Sequence, residues 1–367
     1  MITRVDVYGY NLRYAHGQYV MSGGRAATSQ AGTVVRLCTD DGVQGWGEVT
    51  PLGGTYLPAS AQGVRSDLAE LAPHLLGADA CSLSGVHRVM DAVLLGGEYA
   101  KSAVDIACWD ILGRTLGMPI AALLGGVLQE SFPLYEAVPL GSPDAMADFV
   151  AARQREGIER FQLKVGGDPL ADVQRTEASV SAAGPGAVVV ADANGGWSVL
   201  GARIAMRQME DLAVVVEQPC QSVEDCGAVA ASSSLPVSMD ESIVRSADVF
   251  RAKQIVGVAA INIKISRVGG LTNAARMRDL LQDLSIMVSV EDTWGGDIIT
   301  AAVSHIAAST RPESLLMTSF FNDWTDGHVA GHQPRSVHGR GSAPTGPGLG
   351  IDVDPAEFGE PLATFRR

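Results

Sequence analysis

The chain has 367 residues, of which 46% are hydrophobic and 19% are charged, and this length favours a large domain joined to a smaller one over a single core. Lys and Arg number 27 against 41 Asp and Glu, which gives a formal net charge of −14. A nucleic-acid partner is therefore not expected, because phosphate binding requires a basic surface.

The first segment, MITRVDVYGYNL, alternates as a strand does and lacks the apolar stretch of a signal peptide. No apolar run approaches the roughly 20 residues that span a bilayer. We therefore expect no membrane association and a cytoplasmic location. The five cysteines form an odd set without a C-x-x-C pair, which is typical of reduced thiols.

Residues 1–127 predict an α+β domain. A second strand-like segment, TVVRLCTDDGVQGWGEV, contains the hairpin signal Asp41-Gly42. Between the two strand segments, the Gly- and Ser-rich stretch HGQYVMSGGRAATSQ predicts a mobile loop. From about residue 60 to residue 125, Ala, Leu and Met recur at helical spacing.

Residues 128–330 contain eight short apolar segments that alternate with helix-length stretches. They are LYEAVPL, RFQLKVGG, GAVVVADAN, LAVVVEQPC, LPVSMDES, GVAAINIKIS, LSIMVSVEDT and LLMTSFF. Parallel strands need crossover helices, so this pattern predicts a (β/α)8 TIM-like barrel. A doubly wound open sheet is the alternative, but polar residues end segment after segment, as they do where barrel active sites lie. Residues 331–367, rich in Gly and Pro, are expected to return over the first domain.

Three carboxylates end three consecutive predicted strands, at Asp192, Glu217 and Asp240. Neighbouring barrel strands would place them side by side at one rim. Converging carboxylates repel one another unless a cation lies between them, and an all-oxygen site suits Mg²⁺, or Mn²⁺, better than zinc. For Asp240 taken alone, capping of the following helix is the alternative.

Two lysines, Lys164 and Lys264, end the predicted strands on either side of these carboxylates. We expect them to face each other across the metal site, where repulsion from a dication lowers the pKa of an ammonium group and permits it to act as a base. A solvated side chain is the alternative, although Lys264 lies in a nearly apolar strand.

This arrangement is suited to removing the hydrogen next to a substrate carboxylate. The reaction creates a dianionic enediolate, whose charge a metal can stabilise. One lysine would take the proton, and the other would return a proton to the opposite face or protonate a leaving group. The partner expected is thus a small-molecule carboxylate.

The segments YAKSAVDIACWDILGRTLGMPIAALLGG, VVVADANGGW, VVVEQP, SMDES and INIKISRVGG resemble the muconate lactonizing enzyme subgroup of the enolase superfamily. The resemblance extends from the N-terminal strands to GPGLGI near the C-terminus. It implies an N-terminal capping domain, metal ligands at the three carboxylates and acid/base roles for the two lysines. The subgroup's usual Lys-x-Lys is Gln162-Leu163-Lys164 here, so Gln162 cannot supply the first lysine's charge.

Within the subgroup, PLGGTYLP, FQLKVGGD, EQPC and EDTWGGDI are most similar to cis-3-hydroxy-L-proline dehydratases, and hydroxyproline betaine epimerases are similar too. The resemblance implies an Mg²⁺-dependent lyase, with an isomerase acting at C2 as the alternative. It also implies that a first-domain loop closes over the substrate. Phe320 stands where the dehydratases carry an acidic residue. The substrate-binding residues that it implies are Tyr56, Gln162, Asp292, Thr293 and Trp294.

A non-catalytic carboxylate-binding barrel remains a third hypothesis. The seven histidines lie off the predicted strand ends, which argues against a zinc site and against a His-Asp acid/base pair. Nucleotide binding is not expected, because no G-x-G-x-x-G follows a first strand. Barrels of this kind often assemble, so we expect a homo-oligomer.

Overall fold

The computed structural model describes residues 1–367. Its N-terminal part combines an antiparallel sheet with helices. The strands are β1 (Ile2–Tyr14), β2 (Tyr19–Val20), β3 (Ala26–Ala27), β4 (Ser29–Thr39) and β5 (Gln44–Val49), and the helices are α1 (Ala61–Leu75), α2 (Leu83–Val93), α3 (Glu98–Leu116) and α4 (Ile120–Leu123). β4 pairs with β1 on one side and with β5 on the other, so the hairpin predicted at Asp41-Gly42 is confirmed.

Helix α3 packs closely against β5. Two glycines of the strand, Gly45 and Gly47, make this approach possible, because a Cβ atom at Gly47 would lie 1.8 Å from the carbonyl oxygen of Ala103. The helix is buried on nearly every face, since it lies between the sheet and the rest of the molecule.

The stretch for which the sequence predicts a mobile loop is folded. β2 and β3 pair as a short antiparallel hairpin, and Tyr19 and Met21 are buried. Arg25 donates hydrogen bonds to the carbonyl oxygen and the hydroxyl of Ser22. These contacts hold the hairpin in place, and they bring Tyr19 into the central cavity described below.

Eight parallel strands form the barrel, with neighbours paired in chain order. After β6 (Phe132–Pro133), the strands are β7 (Tyr135–Val138), β8 (Arg160–Lys164), β9 (Val188–Asp192), β10 (Val214–Glu217), β11 (Val237–Met239), β12 (Ala260–Lys264), β13 (Met287–Glu291) and β14 (Leu315–Thr318). A parallel bridge between Leu134 and Thr318 joins the last strand to the first. The eight predicted strand segments are confirmed, and the open-sheet alternative is wrong.

Seven helices follow the first seven barrel strands. They are α5 (Pro143–Arg155), α6 (Pro169–Ala183), α7 (Val199–Gln208), α8 (Val223–Ala230), α9 (Ser246–Ile255), α10 (Leu271–Asp283) and α11 (Asp297–Ala308). The first four begin at side-chain N-caps, Ser142, Asp168, Ser198 and Ser222, each of which accepts a hydrogen bond from the first turn. By contrast, α10 and α11 begin at glycines, which have no side chain to cap them.

The C-terminal part returns to the first sheet. β15 (Thr325–Asp326) and β17 (Ala363–Arg366) both pair with β1, and β16 (Arg340–Gly341) pairs with β6. Four 3-10 turns complete the fold, at Ser22–Gly24, Pro312–Ser314, Phe321–Trp324 and Pro355–Phe358. The domain boundaries at residues 127 and 330 stay a prediction. No helix combines the length and apolar character needed to cross a membrane.

Candidate active site

The five residues singled out as metal ligands and acid/base groups lie at the same end of the barrel. Lys164, Asp192, Glu217 and Lys264 are the last residues of β8, β9, β10 and β12, and Asp240 directly follows β11. Cross-strand register pairs Lys164 with Asp192 and Asp192 with Glu217. All five are buried, so their charges interact with little screening by solvent.

The two lysines stand on opposite sides of the barrel, since β8 and β12 are four strands apart in a ring of eight. Lys164 Nζ lies 2.5 Å from Asp192 Oδ2. Lys264 Nζ pairs with Asp240 and lies 2.7 Å from Glu291 Oε1. Burial lowers the pKa of each lysine, but the neighbouring carboxylates more than offset this effect. Both pKa values therefore lie above the ordinary range.

The carboxylate oxygens that lie within 4.8 Å of one another belong to Glu217, Asp240 and Glu291. The side chain of Asp192 is instead held by Lys164 and by Asn194, whose backbone N and Nδ2 lie 2.8 and 2.7 Å from its oxygens. Glu291 is not among the sequence-predicted ligands. It ends β13, so the strand-end pattern that identified the other carboxylates also applies to it.

Negative charge is in excess around this cluster. Burial raises the pKa of Glu217 well above its ordinary value, and the neighbouring carboxylates raise it further. Five carboxylates converge on three cationic side chains: Asp192, Glu217, Asp240, Glu241 and Glu291 face Lys164, Lys264 and Arg267. Two oxygens, Asn194 Oδ1 and Glu241 Oε2, are buried without a hydrogen-bond partner. This buried acidic group could therefore hold a metal ion.

A small cavity lined by both lysines lies at this end of the barrel. Its aromatic walls are Tyr19, Tyr56, Tyr135, Trp294, Phe321 and Trp324, and its polar lining includes Gln162, Glu291, Asp292 and Thr293. The five residues implied as substrate-binding by resemblance thus all line this cavity. Tyr19, Tyr135, Phe321 and Trp324 were not found by sequence reasoning.

Two of the lining residues contact the charged cluster directly. Tyr56, from the loop between β5 and α1, donates a hydrogen bond from its hydroxyl to Asp240 Oδ2 at 3.2 Å. Gln162 accepts a hydrogen bond from Lys164 Nζ at 2.8 Å and donates one to Glu217. The neutral amide of Gln162 therefore bridges a lysine and a carboxylate.

The loop after β13 supplies three lining residues with different partners. Asp292 accepts two hydrogen bonds from Ser266, and burial raises the pKa of Asp292 to about 6. Thr293 Oγ1 lies 2.6 Å from the hydroxyl of Tyr99 on α3. The indole N–H of Trp294 is buried without a partner, so packing alone holds that ring.

Phe320 lies outside the cavity. Its ring packs edge-on against Phe132, with the centroids 6.0 Å apart. The turn that follows β14 instead places Phe321 and Trp324 in the wall. Position 320 therefore contributes no side chain to the lining of this cavity.

Family models match both parts of the chain. Residues 145–357 match the enolase C-terminal domain-like family, and residues 15–125 match the N-terminal domain of mandelate racemase/muconate lactonizing enzyme. The two matches together cover most of the 367 residues.

Individual relatives agree with this assignment. The chain is 41% identical to a cis-3-hydroxy-L-proline dehydratase of Roseibium aggregatum over 99% of both chains. It is 26% identical to the N-succinyl-L-Arg/Lys racemase of Bacillus cereus, over 84% of this chain and 85% of that protein. A crystal structure of an enolase superfamily member from Roseovarius nubinhibens ISM, complexed with magnesium, is 35% identical with a TM-score of 0.94, covering 100% of this chain and 99% of that one.

Proposed function

Because the chain belongs to the mandelate racemase/muconate lactonizing enzyme family of the enolase superfamily, we propose that it is a dehydratase of cis-3-hydroxy-L-proline. It would remove the α-proton of this carboxylate and eliminate water. The observation that carries the proposal is the pair of buried lysines on opposite walls of one small cavity. The relative of known activity from Roseibium aggregatum supports the choice of substrate.

The proposal includes a divalent cation, Mg²⁺ or alternatively Mn²⁺, held by Asp192, Glu217 and Asp240, with Glu291 as a further candidate ligand. The residues present fit such an ion, because hard cations prefer carboxylate oxygens and the cluster carries excess negative charge and unpartnered oxygens. When bound, the ion would stabilise negative charge on the substrate carboxylate and lower the pKa of nearby lysines by like-charge repulsion.

Opposed lysines suit anti elimination. In cis-3-hydroxy-L-proline the carboxylate and the hydroxyl share one ring face, so the α-hydrogen and the hydroxyl lie on opposite faces. One lysine takes the α-proton, and the other, as an ammonium, gives a proton to the departing hydroxyl. The Cα–H and C3–O bonds break, a double bond forms between C2 and C3, and water leaves. The resulting enamine tautomerises to a cyclic imine acid.

The aromatic walls would enclose the pyrrolidine ring and exclude bulk water. Trp294, Phe321 and Trp324 contact one another with ring centroids 5.1 to 6.3 Å apart. Exclusion of water strengthens the interaction between the reacting charges and the lysines. Tyr56 covers the cavity from the capping side and contacts Asp240, which places it between the cluster and the solvent.

A second candidate is 2-epimerisation of a proline, hydroxyproline or proline-betaine derivative. The aromatic lining favours it, because the faces of Trp and Tyr attract quaternary ammonium groups. The same two lysines would then remove and return a proton on opposite faces. Assembly into a homo-oligomer also stays a prediction, which sedimentation velocity can test.

Product analysis separates the two reactions. We expect purified protein with Mg²⁺ to convert cis-3-hydroxy-L-proline to a product lighter by one water, detected by mass spectrometry. Proline betaine and 4-hydroxyproline betaine, assayed in parallel, should remain unconverted. Conversion of a betaine to its 2-epimer, with no loss of water from the hydroxyproline, would replace the dehydratase proposal with the epimerase.

A further inference from the structure

Glu48, near the end of β5, is a fully buried carboxylate that does not line the central cavity. Its carboxylate extends from the N-terminal sheet to the first turn of α11. Oε1 accepts a hydrogen bond from the backbone N–H of Gly296 at 2.6 Å, and Oε2 accepts one from Ile299 at 3.0 Å. The hydroxyl of Tyr10 also donates to Oε1. Glu48 and Gly296 are 248 residues apart in the chain.

This contact supplies a helix cap that the local sequence lacks. The first N–H groups of a helix have no partner within it, and an N-cap side chain usually accepts from them. Because α11 begins after Gly296, no such side chain is present. Glu48 takes that role, and when it is ionised its negative charge lies at the positive end of the helix dipole.

The close approach depends on the glycines that precede α11. A Cβ atom at Gly296 would lie 2.6 Å from the hydroxyl oxygen of Tyr10, and one at Gly295 would lie 1.7 Å from a methyl carbon of Ile299. A capping side chain at position 296 would therefore displace the residues that now bring Glu48 to the helix.

Helix α10 is capped in the same way. It begins after Gly270, and Asp105 of α3 accepts hydrogen bonds from the backbone N and the hydroxyl of Thr272 at 3.0 and 2.6 Å. The first four barrel helices carry their own caps, whereas these two take theirs from the N-terminal part of the chain. The N-termini of α10 and α11 are therefore capped only when the N-terminal domain is packed against the barrel.

Only α11 continues directly from the aromatic wall of the cavity. Trp294 immediately precedes the two glycines, and its indole N–H has no partner to fix the ring. The ring is held by packing against Tyr19, Phe321 and Trp324. The position of the backbone that carries it is set two residues later, where Gly296 donates to Glu48.

We propose that Glu48 is a positioning residue that fixes the Trp294 wall of the cavity through the N-terminus of α11, and so couples seating of the capping domain to substrate fit. The substrate part of this inference rests on the proposed function. Burial raises the pKa of Glu48 to about 7, although Tyr10 and the two amides oppose that shift, and the charge of Asp297 adds to it.

The test compares Glu48→Gln with Asp110→Asn. Asp110 is an equally buried carboxylate that accepts from Leu349 N at 2.8 Å and Trp46 N at 3.1 Å. It also pairs with Arg114 at 2.9 Å, and it makes no hydrogen bond to residues 293–299. In Glu48→Gln, an amide N–H₂ group replaces one of the two accepting oxygens. We expect faster hydrogen exchange at the amides of residues 293–299 in the substrate-free protein, and no such change in Asp110→Asn.

With substrate, Glu48→Gln should raise KM about tenfold while kcat changes less than threefold, because the wall contributes binding more than chemistry. Unchanged exchange over residues 293–299, or an equal KM increase in Asp110→Asn, would overturn the inference. The exchange measurement needs no substrate, so it is decided independently of the dehydratase proposal. If Glu48→Gln does not fold, Tyr10→Phe provides the test, because it removes one hydrogen-bond donor to Glu48. Tyr10→Phe should show a smaller increase in exchange over the same residues, and unchanged exchange in this variant would equally refute the inference.

Discussion

His305, in the middle of α11, leads to a prediction about stability in acid. The side chain is fully buried. Its Nδ1 accepts a hydrogen bond from Ala121 N at 3.2 Å, and its Nε2 donates one to the carbonyl oxygen of Leu349 at 3.1 Å. A protonated imidazole has no acceptor, so the first bond requires the neutral ring. Burial accordingly lowers the pKa of His305 from 6.5 to about 4.

The sign of the effect follows from this lowered pKa. Between pH 6.5 and about 4, His305 is protonated in the unfolded chain but stays neutral in the folded chain. The contribution of His305 to the free energy of unfolding is therefore fully present above pH 6.5 and is lost as the pH falls towards 4. With these two pKa values, the loss between pH 7.5 and pH 4.5 is about 2.5 kcal/mol.

Substitution with a side chain that does not titrate should remove this loss. The free energy of unfolding is measured by urea titration at pH 7.5 and at pH 4.5 for the wild type and for His305→Gln. We expect the decrease between the two pH values to be about 2.5 kcal/mol smaller in His305→Gln than in the wild type. The carboxylates titrate in both proteins and cancel in the comparison. The exposed His74, replaced in His74→Gln, serves as control and should match the wild type. An equal fall in all three proteins would refute the buried, neutral state of His305.

Other predictions concern the charged cluster and its cation. Lys164→Met and Lys264→Met should each reduce turnover at least about 10³-fold. Both variants should still bind Mg²⁺ in calorimetry, because neither ammonium group is a metal ligand. Turnover near the wild-type level in either variant would contradict the two-lysine mechanism. Lys253→Met, on the exposed part of α9, should leave turnover unchanged. Mg²⁺ added to chelator-treated protein should raise the thermal midpoint, because an ion bound only by the folded state stabilises it. Glu217→Gln should abolish that rise, and a full rise in this variant would exclude Glu217 as a ligand.

The barrel was predictable because its signal is local. Most of its strands, such as β9 and β12, are short apolar runs that end at a charged residue and are followed by a helix. The same regularity predicted the convergence of Lys164, Asp192 and Glu217 from spacing alone. Glu291 satisfies the rule equally but was not predicted, because it ends a strand beyond Lys264 and so lies outside the run of three consecutive strands that end at carboxylates.

Features that depend on non-local contacts were not predictable. The strands β2 and β3 have two residues each, which is too short for a periodic pattern to reveal. Beyond Thr318 the alternation of strand faces ends, and a 3-10 turn decides that Phe321 rather than Phe320 enters the wall. Glu48 lies within a predicted strand, and nothing in the local sequence indicates that it caps a helix 248 residues away.

Loss of the α-hydrogen from substrates incubated in heavy water tests the central claim most directly. With Mg²⁺ present, the wild-type protein should form a product from cis-3-hydroxy-L-proline whose C2 has lost its hydrogen, and Lys164→Met and Lys264→Met should not. Proline-derived acids that keep their α-hydrogen throughout incubation with the wild-type protein, under conditions where Mg²⁺ binding is verified, would contradict the account.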